Sequence, residues 1–273
     1  MEIEWHENGS LTVTIHQSWM DGYGKCPERA RRAIESPEPP SDATIIGTGM
    51  HAACAALLEG SGDPIEALLV AIGEEAAHPM LNWTKFSTVS ELETIAKGCF
   101  YAWEAGVLPA LKGDPVDVEH KFNVPIGTRT IAGTPVNLRL AGTWDYEDDK
   151  GLWDWKTASS LRAYGPQALR KAVQPTAYTL GKVLEEGLSP ELILDFNYGV
   201  VVKKKVPEPK TFATVRHQGD WAWLIDQMWQ AVMMYVTMPE GPWPLLDQEW
   251  VCSERWCSHY YDCRGKPRIL EIQ

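Results

Sequence analysis

Three successive segments in the middle of this 273-residue chain alternate between apolar and polar residues, as β-strands do. They span residues 117–126, 136–146 and 152–157, and a short polar turn at 147–151 joins the last two. A sheet built from such a meander has to cover its apolar face with other elements. Helical patterns lie before and after the meander, so the sequence predicts an α/β fold with a central mixed sheet flanked by helices.

Apolar residues spaced three and four apart predict the helices around this meander. The predicted helices span residues 27–36, 47–59, 66–74, 90–108, 165–186 and 221–238, and two further predicted strands span 11–15 and 192–202. We therefore predict one domain over residues 1–273. It would contain an N-terminal helical part (1–110), an α/β core (111–238) and a cysteine-rich tail (239–273).

The composition is that of a soluble globular protein, with 44% hydrophobic and 23% charged residues. No apolar run reaches the roughly 18 residues that a membrane span requires, and the first residues lack the features of a signal peptide. We therefore expect a cytoplasmic location without membrane contact. The net charge of −12 argues against a protein that coats nucleic acid through its overall charge. It leaves room for a local basic strip.

The hairpin formed by the last two predicted strands carries the residues with the clearest chemistry. Side chains alternate along a strand, so Asp154 and Lys156 point to the same face. The turn can bring Asp145 back beside Asp154. Two carboxylates and one ammonium would then meet in a group that suits Mg²⁺ or Mn²⁺ and phosphodiester hydrolysis. The alternative is a solvated ion pair worth at most ~1 kcal/mol, and Asp-x-Lys is too common a tripeptide to decide between them.

Further residues of the hairpin extend this motif. Gly142-x-x-Asp145, followed by Asp154-x-Lys156-Thr157, resembles the G-x-x-D and D-x-K-T signature of RecB-like nucleases in the PD-(D/E)XK superfamily. The resemblance implies a restriction-endonuclease-like core. It also implies a metal-dependent DNA nuclease, of the CRISPR-associated type or a phage exonuclease.

Two more motifs occur in the order that this family shows. Downstream, Gln174 and Tyr178 match the family's Q-x-x-x-Y motif, and residues at i and i+4 share one helix face. Pro175 departs from an ordinary helix interior and fits only near a helix start or a kink. Upstream, Gly47 and His51 resemble the family's G-x-x-x-H helix start. Taken alone, each of these residues is more often structural.

The resemblance implies a role for each of these residues. His51, Asp145, Asp154 and the carbonyl of Trp155 would bind Mg²⁺ or Mn²⁺. Lys156 would assist the attacking water, and Gln174 and Tyr178 would support the catalytic residues. Glu119, on the preceding strand, is either a further metal ligand or an exposed strand residue.

The expected partner is DNA, as single strands or duplex ends. Arg162, Arg170 and Lys171 follow the hairpin and are candidates for phosphate contacts. The run Lys203–Lys205 is either another such contact or a solvated strand end. No predicted element suits the reading of base edges, and contacts to phosphates carry no sequence information, so we expect little sequence specificity. The resemblance implies an exonuclease. A homo-oligomer or a recombination or replication partner protein would be compatible with this function.

Three cysteines cluster near the C-terminus, at Cys252, Cys257 and Cys263, and Cys26 lies near the N-terminus. This arrangement resembles RecB-like nucleases that hold a 4Fe-4S cluster with one early and three late cysteines, which would pack the tail back on Cys26. Four thiolates suit such a cluster. A Zn²⁺ site that replaces Cys26 with His259 is the main alternative, and unligated cysteines are the third.

Two other functions remain open on the sequence. A non-catalytic DNA-binding or assembly module could retain the nuclease fold and the iron–sulfur cluster. An electron-transfer protein could use the cluster and would have no need of Asp154 and Lys156.

Overall fold

The computed structural model describes residues 1–37, 39–245, 252–253 and 257–265. Of the predicted tail, residues 246–251, 254–256 and 266–273 lie outside the described residues. None of the described helices is both long and apolar enough to cross a bilayer.

The described strands form one seven-stranded mixed sheet. Their order is β1-β2-β4-β5-β6-β7, and β3 pairs with β4. The strands are β1 (Glu2–Trp5), β2 (Leu11–His16), β3 (Pro115–Ile131), β4 (Thr134–Asp148), β5 (Gly151–Ala158), β6 (Leu194–Val202) and β7 (Glu208–Arg216). The β2–β4 and β5–β6 pairs are parallel, whereas β1–β2, β4–β5 and β6–β7 are antiparallel. The predicted α/β class with a central mixed sheet is confirmed.

Eight α-helices accompany the sheet in the described part of the chain. They are α1 (Gln17–Lys25), α2 (Pro27–Glu35), α3 (Asp42–Glu59), α4 (Pro64–Ala76), α5 (Val89–Gly106), α6 (Pro166–Lys171), α7 (Val173–Glu186) and α8 (Gln218–Thr237). The strands β1 and β2 precede all of them, so the first 110 residues are not purely helical.

The chain divides into two compact units. The first unit comprises Met1–Glu38, Val124–Ala141 and Ala222–Gln273, and the second comprises Pro39–Asn123 and Gly142–Trp221. These boundaries differ from the predicted ones at residues 110 and 238, and that division stays a prediction.

In the first unit, β2 lies between β1 and β4 and is almost entirely buried. Its apolar residues Leu11, Val13 and Ile15 are fully excluded from solvent. A strand that is paired on both edges has all its backbone groups satisfied, so an apolar run is stable there.

In the second unit, α3, α4 and α5 pack on the face of the sheet that carries Tyr146, Trp153 and Trp155. Trp103 of α5 meets Trp155 edge-on, with ring centroids 5.1 Å apart, and both are buried. Such an aromatic pair contributes about 0.5–1.5 kcal/mol beyond the burial of its area. The tryptophans that flank Asp154 therefore fix β5 against the helices.

Local chemistry explains where the helices differ from their predicted bounds. Helix α3 begins at Asp42, five residues before Gly47, because Ser41 and Thr44 form a capping box. It ends at Gly60 in the left-handed region, with φ of 64°. Helix α5 begins after Thr88, which forms a capping box with Glu91, so the helix starts one residue before the predicted start at residue 90.

The helix predicted over 165–186 is two helices. Ala172 has extended geometry, with φ of −64° and ψ of 128°, and it separates α6 from α7. This break places Pro175 in the first turn of α7, where a missing N–H does no harm. The buried Arg216 donates hydrogen bonds to the carbonyls of Leu169 and Ala172 at 2.6 and 3.1 Å, which stabilises the junction.

Candidate active site

The β4–β5 ladder stops at the pair Tyr146 and Trp153, next to Asp145. Beyond that point the carboxylate of Asp145 takes the place of a strand acceptor. Its Oδ2 accepts the backbone N–H of Trp155 at 2.5 Å, and Asp145 is only 4% exposed. The turn therefore brings Asp145 against β5, as the sequence predicted.

His51 reaches the same place from α3. Its Nε2 lies 2.7 Å from the carbonyl oxygen of Trp155, and its Nδ1 lies 3.2 Å from Oδ1 of Asp145. A carbonyl oxygen only accepts, so Nε2 carries the proton in this arrangement. Burial opposes a charged imidazole, but the Asp145 carboxylate outweighs burial and raises the pKa of His51 to about 9. His51 thus acts as the counter-ion of Asp145 in this structure.

Glu119 reaches the site because β3 changes face at this residue. Its φ is 51°, in the left-handed region that non-glycine residues rarely adopt. On one side of it, Val118 packs with the aromatic cluster below α3 and α5. On the other side, His120 stacks on Trp144 at 4.4 Å. In a regular strand Val118 and His120 would share a face, so the irregular residue redirects the chain and turns the Glu119 carboxylate toward Asp145.

Together, His51, Glu119 and Asp145 form a group that could hold a metal ion. One ligand atom from each residue lies within 4.8 Å of the other two. Burial, reinforced by the neighbouring Asp145, raises the pKa of Glu119 to about 7. The site thus holds more carboxylates than its cations neutralise, and a divalent cation would relieve that repulsion. Two carboxylates, an imidazole and the nearby Trp155 carbonyl are a suitable donor set for Mn²⁺ or Mg²⁺.

Asp154 and Lys156 lie beside this group, and a network from α7 holds them. The Lys156 ammonium contacts Oδ2 of Asp154 at 2.5 Å, and the side-chain amide of Gln174 donates to Oδ1 at 2.7 Å. The same amide nitrogen lies 3.1 Å from the hydroxyl oxygen of Tyr178. Gln174, Tyr178, Asp154 and Lys156 are therefore brought together as the sequence predicted, while their catalytic roles stay a proposal.

The charges of this pair follow from its burial. Burial raises the pKa of Asp154. The Lys156 ammonium opposes this increase only in part, and the Asp145 carboxylate adds to it, so the pKa of Asp154 is about 7. Burial acts against the Lys156 ammonium, but Asp154 and Asp145 outweigh it and raise the pKa of Lys156. Lys156 therefore carries a positive charge at neutral pH.

Two tyrosines that the sequence analysis did not select complete the network. The hydroxyl of Tyr198 donates to Oε1 of Gln174 at 3.4 Å, and the ring of Tyr164 meets that of Tyr198 edge-on at 5.5 Å. Tyr198 is directly opposite Asp154 in the parallel β5–β6 pair. Only the strand pairing shows this, and the sequence carries no local signal for it.

A groove of about 600 Å³ gives access to the site. His51, Glu119 and Lys156 line it, and small residues of α3 form one wall, including Gly47 and Ala55. A Cβ atom on Gly47 would lie 3.6 Å from Oγ1 of Thr157, which is ordinary contact. Gly47 therefore lines the groove without a steric need for glycine, and it does not mark the start of the helix.

The basic candidates for DNA contact differ in position. Arg162, Arg170 and Lys171 are exposed around α6. Arg170 also lines an apolar cleft of about 670 Å³ with Tyr164 and Phe212. Lys203, by contrast, is half-buried.

In the first unit the four predicted cysteines come together. Cys26, at the junction of α1 and α2, lines one small cavity with Cys252, Cys257 and Cys263. His259 lines the same cavity. These cysteines therefore line one cavity, and their binding of a cluster or a metal ion stays a proposal.

Neither a protein-family profile nor a curated protein matches this chain. Among solved structures, it is similar to a protein from Eubacterium rectale named "Putative exonuclease", with 13% sequence identity and a TM-score of 0.57. That likeness covers 95% of this chain and 90% of the other. A second structure, SSO0001, has a TM-score of 0.37 and 11% identity over 84% of this chain and 87% of its own. At 13% identity the first likeness shows a shared fold alone, and the second carries no argument.

Proposed function

We propose that this protein is a metal-dependent DNA nuclease, an exonuclease that hydrolyses phosphodiester bonds with little sequence specificity. The observation that carries the proposal is the meeting of His51, Glu119 and Asp145 within 4.8 Å, beside the Asp154–Lys156 pair. A buried cluster of acids with one charged lysine, open to a groove, suits a phosphodiester substrate. The similar fold of the protein named "Putative exonuclease" supports the same class.

The metal ligands would come from three strands and one helix. His51, Asp145, Asp154 and the carbonyl of Trp155 would hold Mg²⁺ or Mn²⁺, and Glu119 would join them. When bound, the ion would polarise the scissile phosphate and lower the pKa of a coordinated water.

The remaining residues would orient and stabilise. Lys156 stays protonated and can therefore donate to the attacking water or to a phosphate oxygen, and it can offset negative charge that builds on the phosphorus centre. Gln174 fixes the rotamer of Asp154 through the 2.7 Å hydrogen bond, and Tyr178 and Tyr198 fix Gln174. Such supporting hydrogen bonds hold the reacting groups in place.

The direct test is digestion of end-labelled single- and double-stranded DNA with Mg²⁺ or Mn²⁺, with EDTA as the control. We expect cleavage that requires the metal and releases short products from the ends. Uniform internal cuts would exclude an exonuclease. Metal-independent cleavage, or no cleavage of any DNA, would contradict the proposal. DNA binding without cleavage would favour the alternative, a non-catalytic DNA-binding or assembly module.

Variants of the central pair test the assignment of residues. Asp154→Ala and Lys156→Ala should each abolish cleavage and leave the circular dichroism spectrum unchanged. Asp226→Ala, at an exposed position of α8, is the matched control and should cleave at the wild-type rate. Cleavage by either central variant at the rate of this control would refute the assignment.

For the cysteine site we propose a 4Fe-4S cluster on Cys26, Cys252, Cys257 and Cys263. Their common cavity supports a shared ligand. Four thiolates suit such a cluster, in which each thiolate binds a separate iron.

Anaerobic purification tests this second proposal. We expect a brown protein with broad visible absorbance, about four irons and four sulfides per chain, and little zinc. Stoichiometric zinc without iron would contradict the cluster and support the alternative Zn²⁺ site, in which His259 replaces Cys26 as a ligand.

A further inference from the structure

Four lysines converge on one cavity of the second unit, although the chain has a net charge of −12. The cavity measures about 340 Å³, and its charged lining residues are Lys85, Lys203, Lys204 and Lys205. We call it the lysine pocket. Its described lining includes no acidic residue, although Lys204 also pairs with Glu208 outside it at 2.6 Å. The pocket is therefore a local concentration of positive charge.

Lys203 is not a solvated strand end. Its backbone N–H donates to the carbonyl of Ala158 at 2.8 Å. Its ammonium donates to Oγ1 of Thr157 at 3.3 Å and to the carbonyl of Ala43 at 3.4 Å. Burial lowers the pKa of Lys203, and the nearby Lys85 lowers it further. An additional anion would therefore stabilise its charged form.

Lys85 is also fixed, through its backbone. The buried carboxylate of Asp42 accepts the N–H groups of Thr84, Lys85 and Phe86 at 3.0, 2.5 and 2.8 Å. The loop that carries Lys85 is therefore held at the start of α3, beside Lys203. A backbone that is already ordered can present its lysines to an anion with little loss of backbone entropy.

The lysine pocket adjoins the groove of the candidate active site. Lys203 lines the pocket, and the two residues that accept hydrogen bonds from its ammonium, Thr157 and Ala43, line the groove. Thr157 follows Lys156 directly along β5. Lys156 and Thr157 both line the groove, so an extended nucleic-acid strand in the groove can reach Lys156 and the lysine pocket.

We propose that the lysine pocket binds a phosphate of the same DNA strand whose scissile phosphodiester lies at Lys156. The inference rests on the proposed nuclease function and adds a second point of attachment for its substrate. Ammonium groups are compact point charges that suit phosphate oxygens, and continuity with the groove selects the substrate strand as the source. The phosphate is either internal or at the end of the strand.

The test is equilibrium binding of a fluorescent single-stranded 12-mer, in EDTA to prevent cleavage, over a range of salt concentrations. The variant combines Lys85→Gln and Lys205→Gln, two exposed side chains whose loss should not disturb folding. The control combines Lys112→Gln and Lys150→Gln, which are exposed and remove the same charge away from the pocket. We expect the pocket variant to lose about 0.7 from the slope of log K against log salt, the value for one phosphate on a single strand. The control should keep the wild-type slope.

The three arms of the probe identify the phosphate. They are the 12-mer with a 5′-phosphate, with a 3′-phosphate and with neither. A loss confined to one phosphorylated form indicates a terminal phosphate, and an equal loss with all three indicates an internal one. Equal slopes for the pocket variant and the control, or no binding by the wild type, would overturn the proposal.

The two proposals can fail separately. Metal-dependent cleavage by the wild type, with no difference in binding between the two double variants, would retain the nuclease and reject the lysine pocket. A reduced slope in a protein that cleaves no DNA would retain the pocket as a DNA phosphate site and reject the nuclease.

Discussion

Asp145 uses its two carboxylate oxygens for different tasks. One accepts the backbone N–H of Trp155, and the other faces Nδ1 of His51. The first contact belongs to the sheet, and the second belongs to the candidate metal site. Substitutions at this residue should therefore affect stability as well as chemistry.

We expect Asp145→Ala to lower the free energy of unfolding by about 1–3 kcal/mol, because the buried N–H of Trp155 loses its acceptor. Asp145→Asn keeps an oxygen acceptor and should recover most of that loss without restoring cleavage. Urea denaturation and a cleavage assay on the two variants separate the effects. Equal stability of Asp145→Ala and the wild type would show that the backbone contact contributes nothing.

Gln174 offers a second test at the residue scale. Gln174→Ala removes the amide that lies between Asp154 and Tyr178, so cleavage should slow by about 10–100-fold, as for other supporting residues of metal sites. Gln167→Ala, at an exposed position of α6, is the matched control. A metal titration of activity should show a higher half-saturating concentration for Gln174→Ala alone. Equal activity of both variants would exclude a supporting role.

At this scale the sequence predicted positions that depend on strand alternation and helix periodicity. Asp154 and Lys156 share a face, and Gln174 and Tyr178 lie one helix turn apart, as expected. The sequence left two positions open for Glu119, in the site or on an exposed strand face, because its position depends on a backbone irregularity that has no sequence signature.

At the scale of elements, helix starts and breaks depend on single polar residues. Asp42 shows this most clearly, since it begins α3 and its side chain also holds the loop at Thr84 to Phe86. Burial opposes ionisation of Asp42, but hydrogen bonds from Thr84 and from the loop backbone lower its pKa below the usual range.

We therefore expect Asp42→Asn to be less stable than the wild type by about 1.5–3 kcal/mol at pH 7, the range for hydrogen bonds to a charged group. The pKa of Asp42 is lower in the folded state than the unfolded value of about 3.9, so its carboxylate stabilises the folded protein at pH values above about 3.9. The advantage disappears as the pH falls through the depressed folded-state pKa. Urea denaturation of both proteins at pH 7, 4 and 3 should show the gap closing. A gap independent of pH would mean that the charge of Asp42 is irrelevant.

The elements that the sequence analysis missed have physical reasons for being missed. Strand β7 contains Pro209 and follows Pro207, and prolines speak against a central strand. As an edge strand, β7 tolerates a residue without an N–H. The break at Ala172 was also missed, because the tertiary contacts of Arg216 stabilise it.

At the scale of the whole molecule, the proposed cluster joins sequence positions that are far apart. Cys26 and Cys263 line the same cavity although 236 residues lie between them. Closing so long a loop restricts the unfolded chain, as a disulfide does. The order of early and late cysteines was predictable from the sequence, whereas their spacing in space was not.

We expect Cys26→Ser and Cys263→Ser each to lose visible absorbance and bound iron, and to melt several degrees lower. A loss of 1 kcal/mol shifts the melting temperature by roughly 2–4 °C in chains of somewhat smaller size. The double variant should melt no lower than either single variant, because both would remove the same cluster. Additive losses with unchanged iron content would contradict a shared ligand.

The left-handed backbone at Glu119 has a consequence for how this position can vary. Glycine would adopt a φ of 51° with less strain, by about 1–2 kcal/mol, than any residue with a side chain. Glycine, however, would bring no carboxylate to Asp145 and His51. Selection for reactivity would therefore keep an acidic residue at this position. Selection for stability alone would favour glycine.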